Sequence, residues 1–115
     1  MKIEFVNIAT EYGTENTQHY SSDRAHREQL IQSIGTGKVV ASFRVDKGHK
    51  NGTEIHQITE NAIITVYNER THRLVTKLIA RTAQIYRYFI ETNKEIDYNV
   101  ICKAYEHEKK GYNMI

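Results

Sequence analysis

The sequence predicts an α+β protein: a single domain over residues 1–115, built on a four- to five-stranded antiparallel meander, with an N-terminal helix and two C-terminal helices packed on it. Three observations carry this. From Lys38 to Ala80 the hydrophobic period is two and the breaks are only a few residues long, the pattern of hairpin-connected strands. On either side, apolar residues recur at three and four, the spacing of one helix face. Finally, 115 residues without a proline suffice for one layered core that hides about two-thirds of the unfolded surface, and not for two domains.

Met1–Ala9 alternates imperfectly, with Ile3, Phe5 and Asn7 against Glu4, Val6 and Ile8, and reads as a strand. Thr10–Ser21 is polar and aperiodic, a loop of about 12 residues. Ser22–Ile34 reads as a helix: Ser21 or Ser22 caps its free amides, Asp23 suits its positive end, and Leu30, Ile31 and Ile34 share a face before Gly35 ends it.

Lys38–Val45 places Val39, Ala41, Phe43 and Val45 on one side. Asp46–Gly52 is the strongest turn signal, holding two glycines and an Asn-Gly pair. Thr53–Thr59, Ala62–Tyr67 and Arg73–Ala80 follow as strands rich in β-branched residues. In the last of these, Leu74 and Leu78 are expected on the core face, with Thr76 between them. Arg81–Thr92 returns to helical spacing through Ile85 and Phe89, with Tyr86 and Ile90 on the neighbouring stripe. Asp97–Lys110 is the last helix, capped by Asp97, striped by Val100, Ile101, Ala104 and Tyr105, and stopped by Gly111.

Charge becomes informative only when it is resolved along the chain. The total is 16 Lys and Arg against 14 Asp and Glu, a net +2. Residues 1–37 hold 3 basic and 5 acidic side chains, residues 38–88 hold 9 and 4, and residues 89–115 hold 4 and 5. The meander therefore carries +5, together with three of the six histidines, His49, His56 and His72. A local positive field of this kind favours an anionic ligand. The single cysteine excludes an internal disulfide framework and a multi-cysteine metal site. No apolar run approaches the ~20 residues of a membrane span, and Met1-Lys2-Ile3-Glu4 does not open a signal peptide. The expectation is a soluble, cytoplasmic protein with no membrane partner.

Three constellations could carry chemistry. In the first, the glycine-bounded loop presents His49, and the next strand sets Glu54 and His56 two apart on one face. Imidazole titrates near neutrality and a carboxylate beside it tunes it, so such a pair can divide acid and base roles. The plainer account is a polar surface hairpin. The second is Arg70, Thr71, His72 and Arg73, followed by Thr76, Lys77 and Arg81. Arginines and hydroxyls suit phosphate, although charges also guard strand edges. The third is Gln84, Tyr86, Arg87 and Tyr88, where Tyr and Arg could stack on bases and pair with phosphates. Tyr86 is expected in the core.

No HxH, HExxH or Cys/His pair is present, so no metal or other cofactor is expected. Cys102 reads as a small buried hydrophobe. Gly35-Thr36-Gly37-Lys38 resembles a fragment of a phosphate loop but precedes a strand instead of opening a helix.

Val45–His49, Asn51–His56, Ile63–Asn68, Thr71 and Leu74–Arg81 together resemble small, mostly uncharacterised proteins of Gram-positive bacteria, their phages and mobile elements. The likeness covers about residues 38–88. In layout, a helix before a meander with a His, a basic strand and a late Thr, the chain is also similar to barnase/EndoU/colicin/RelE-like ribonucleases. It lacks the C-terminal catalytic histidine of several members. The +5 meander that collects three of the six histidines on contiguous hairpins, together with this resemblance, leads to the expectation of an RNA-binding protein or a metal-independent, toxin-type endoribonuclease. His49, Glu54, His56, Thr76 and Arg81 would be catalytic, and Lys47, Lys50, Arg70, Arg73, Lys77, Arg87 and Tyr88 would bind nucleic acid. His49 or His56 would take the 2′-hydroxyl proton, Glu54 would orient it, and Arg73, Lys77 and Arg81 would stabilise the phosphorane. The alternative is a non-catalytic accessory protein of a phage or mobile element that binds a host or cognate protein or nucleic acid. Oligomeric state is not legible in the sequence.

Overall fold

The structure is a computed structural model and describes residues 2–6, 31, 34–48 and 52–109. Five strands follow one another across one sheet in chain order: β1 (Lys2–Val6), β2 (Val39–Asp46), β3 (Thr53–Thr59), β4 (Ile63–Asn68) and β5 (Leu74–Ile79). Each runs antiparallel to the next. Two helices complete the described chain, α1 (Thr82–Thr92) and α2 (Tyr98–Lys109). The expected helix over Ser22–Ile34 lies outside the described residues apart from Ile31 and Ile34, which are helical. Residues 7–9, at the end of the expected first strand, lie outside them too, as do His49, Lys50 and Asn51 of the predicted turn.

The strand registers sort the side chains into two faces. On the face packed by the helices, one row reads Phe5, Phe43, His56, Val66 and Thr76 across the five strands, and the next reads Ile3, Val45, Glu54 and Asn68. Ile3, Ala41, Phe43, Val45, Ile58, Ile64 and Val66 form the core here with Ile85 and Tyr88 of α1 and Val100 and Ala104 of α2. The opposite face carries Val6, Ser42, Gln57, Thr65 and Lys77 in one row, and all but Val6 are buried. Gln57 Nε2 donates to Ser42 Oγ at 3.2 Å, which satisfies two of those polar groups. Beyond that row, Ile31 packs on Ile63 and Ile79. β4 is buried from Ile63 through Tyr67, as suits its β-branched, mostly apolar run between two packed faces.

A bulge in β5 overturns the expected alternation there. Tyr67 faces Leu74 while Val66 faces Thr76, which leaves Val75 as the extra residue. Leu74 therefore clusters with Ile55 and Tyr67 on the far face, while Leu78 packs against the core beneath the helices. Lys77 is buried at 7% exposure, not solvated as a strand-edge cation would be.

The helix stripes shift as well. Ile85 and Tyr88 are the buried residues of α1, and Tyr86, expected in the core, is 48% exposed. In α2, Val100, Ala104 and His107 are buried, Tyr105 is exposed and Cys102 is half-buried. Asp97 caps α2 as expected, accepting from Asn99 N–H at 2.7 Å.

Candidate functional site

The two turns that join β2 to β3 and β4 to β5 lie at one end of the sheet, and the start of α1 lies at the other. Between them, α1 crosses the helix-side face and lays the Tyr88 ring on Phe43, with centroids 4.5 Å apart and planes 24° from parallel. This stack brings the Tyr88 hydroxyl to His56 Nδ1, where the two groups form a short hydrogen bond. On its other side, His56 Nε2 meets Glu54 Oε1 at 3.0 Å, and the same carboxylate oxygen accepts from Lys47 Nζ at 3.1 Å. Period-two geometry sets Glu54 and His56 on one face, and the strand register sets them beside Val45 and Phe43.

The chain of contacts has one consistent arrangement with a neutral ring: Tyr88 O–H donates to Nδ1, and Nε2–H donates to Glu54. Electrostatics agrees at both ends. The hydrogen bond from His56 holds the Glu54 carboxyl below the usual carboxylate range against the opposing effect of burial, and Lys47 adds to it. Burial pushes the Tyr88 phenol well above its ordinary 10, so the hydroxyl keeps its proton at neutral pH.

Ile3, Val45, Lys47, His56, Leu78, Gln84, Arg87 and Tyr88 line a cleft of about 210 Å³ between α1 and the sheet. Two cations, an amide, an imidazole and a phenol thus meet over an apolar floor. Arg87 also reaches Glu91 at 3.3 Å. The order Tyr88, His56, Glu54 is that of a hydroxyl–imidazole–carboxylate relay. A hydroxyl that takes a proton from a ligand can pass its own to Nδ1, and Glu54 then stabilises the imidazolium.

Of the residues expected to form a site, Lys47, Glu54, His56, Arg87 and Tyr88 come together. The others that the structure describes are placed elsewhere. Arg70 and Arg73 are exposed on the β4–β5 turn, where Arg70 borders a separate depression with Thr53, Asn68 and Glu69. Lys77 belongs to the opposite face of the sheet, in the row of Ser42, Gln57 and Thr65. Arg81 is exposed at the far end, where its backbone N–H is held by Gln84 Oε1 at 2.6 Å. Thr76 shares the His56 row two strands away, and its hydroxyl donates to the Lys77 carbonyl at 3.5 Å. His49 and Lys50 lie outside the described residues.

Leu78, expected only in the core, is an addition to the site, and Gln84 joins the cleft beside Arg87 and Tyr88, the residues with which the sequence groups it. The spacing of Gln84, Arg87 and Tyr88 at three and four marks one flank of a helix and was the available signal. Both ring nitrogens of His56 are engaged by protein groups, Nδ1 by the Tyr88 hydroxyl and Nε2 by Glu54.

Among the described residues, no group of three or more His, Cys, Asp or Glu is arranged to hold a metal, and no helix is long and apolar enough to cross a membrane. Fold and site together define a class: a small α+β protein with a five-stranded meander, two C-terminal helices and a hydrogen-bonded Tyr–His–Glu chain beneath the first of them. No family model, no curated protein and no solved structure matches the chain.

Proposed function

We propose that this protein acts on RNA in the cytoplasm as a metal-independent endoribonuclease, of the kind borne by Gram-positive bacteria, their phages and mobile elements. The observation that supports it best is the Tyr88–His56–Glu54 chain opening on a cleft that Lys47 and Arg87 also line. Lys47 and Arg87 bind the non-bridging oxygens of one phosphate. The ribose 2′-hydroxyl gives its proton to Tyr88 as Tyr88 passes its own to His56 Nδ1, and Glu54 balances the resulting charge. The 2′-oxygen then bonds to phosphorus and the bond to the 5′-oxygen breaks, leaving a 2′,3′-cyclic phosphate. The leaving oxygen takes the proton back along the same path.

Incubation of purified protein with RNA pools in the presence of a chelator tests this. Cleavage to cyclic-phosphate ends is expected, with His56→Ala and Tyr88→Phe each slower by about 10²–10⁴-fold. Absence of cleavage, or cleavage indifferent to both substitutions, would overturn the reading.

A second reading, a non-catalytic accessory protein that binds a host or cognate protein, is supported by a separate feature: the aromatic side chains left exposed on α1 and α2. A partner complex untouched by His56→Ala would favour it.

A further inference from the structure

Six large hydrophobic residues are exposed among the described residues, and five of them, Tyr86, Phe89, Ile90, Tyr98 and Tyr105, sit on the two helices. Burying large apolar side chains is favourable, and a contiguous exposed cluster of them marks an interaction surface. Of the five, all but Ile90 line a concave groove between the helices. Cavities of about 640 and 460 Å³ lie side by side between α1 and α2 and share Tyr86, Tyr98 and Ile101 in their walls. The charged residues in those walls are Glu95, Asp97 and Glu106 against Lys109. Tyr86 and Phe89 project from the flank of α1 opposite Gln84 and Arg87, so this groove is separate from the cleft.

We infer that the α1–α2 groove docks a positively charged amphipathic segment of a partner protein, its apolar side chains filling the aromatic trough and its Lys or Arg residues meeting the acidic border. This rests on the partner-binding reading and names its surface. Tyrosine is favoured at such positions because it gives large contact area at low entropic cost. The same carboxylates repel a polyanion, which directs the groove to protein rather than RNA.

The single cysteine, Cys102, lines one half of the groove and reports its occupancy. The whole protein is titrated with a designed amphipathic peptide of leucine and lysine, and with its leucine–glutamate counterpart, while Cys102 alkylation is timed. The basic peptide should slow alkylation by about tenfold or more, with protection fading as salt rises, and the acidic peptide should not. Tyr98→Ser and Tyr105→Ser should each weaken the basic peptide by about tenfold without moving the unfolding midpoint, since both rings are more than half exposed. Equal protection by both peptides, protection by neither, preference for single-stranded RNA, or masking of Cys102 by dimerisation would each overturn the inference. RNA cleavage by the two tyrosine variants should be unchanged, so a failed groove and a failed cleft are read separately.

Discussion

At the scale of single residues, Tyr88 and Glu54 tie the site to pH in opposite directions. The Glu54 carboxyl is depressed by its contact with His56 and by Lys47. The stability it contributes is therefore complete above the unfolded carboxylate range, and it drains away as pH falls through the folded value. Tyr88 is raised by burial, so its contribution is complete below about 10 and is lost as pH rises past it. Glu54→Gln should consequently flatten the acid limb of the stability curve and leave the alkaline limb alone. Tyr88→Phe should flatten the alkaline limb and leave Glu54 to titrate. Urea unfolding across pH checks both, and an acid limb as steep in Glu54→Gln as in the parent would mean that the His56 contact is not made in solution. The Arg44–Glu69 and Arg44–Glu4 pairs are too exposed to compete, because solvent screens such contacts to a fraction of a kcal/mol.

At the scale of elements, what was legible depended on whether a signal was local. The strands β2, β3 and β4 and both described helices are recorded in period, β-branched content and caps, and their boundaries follow within a residue or so. The β5 bulge is not recorded there, because one extra residue changes no local propensity; only the pairing of Tyr67 with Leu74 reveals it. It was the bulge that turned Leu74 and Leu78 to opposite faces. Glu54 and His56 were legible as a pair for the same local reason, period two. Their junction with Tyr88 requires α1 to cross the sheet, a long-range fact.

The glycines before β2 show how a connection imposes its own demand. Gly37 has φ +84°, and a Cβ there would meet Asn61 Nδ2 at 2.8 Å and Glu60 Cγ at 3.0 Å. The close approach belongs to the β3–β4 turn, whose Asn61 side chain donates to the Gly35 carbonyl at 3.1 Å. Gly48 has a similar φ, +80°, with nothing within 4 Å. Gly37→Ala should therefore cost about 1–3 kcal/mol and Gly48→Ala about 1 kcal/mol, since only the first adds a clash to the backbone strain. Denaturant midpoints decide, and equal losses would remove the clash from the account.

For the whole molecule, the consequence of this fold is that core and site share one face of one sheet. Phe43 is fully buried, meets Phe5 edge-on at 5.1 Å and carries the Tyr88 ring, while its neighbour in register on β3 is His56. Packing against Phe43 is thus what fixes the hydroxyl at the imidazole. Phe43→Ala would remove about 3–5 kcal/mol from a total of about 5–15 kcal/mol, enough to confound any reading of the site. Phe43→Leu is the informative change: roughly 1–2 kcal/mol is lost, the fold survives, and the flat support beneath Tyr88 is gone. Tyr88 should then gain water, and its titration should move back toward 10, while the acid limb set by Glu54 and Lys47 stays in place. Absorbance titration of Phe43→Leu with and without Tyr88→Phe, whose difference isolates Tyr88 among the eight tyrosines, compared with urea stability of Phe43→Leu, separates the two effects. A Tyr88 titration unmoved in a destabilised Phe43→Leu would show that α1, and not the ring beneath it, holds the hydroxyl in place.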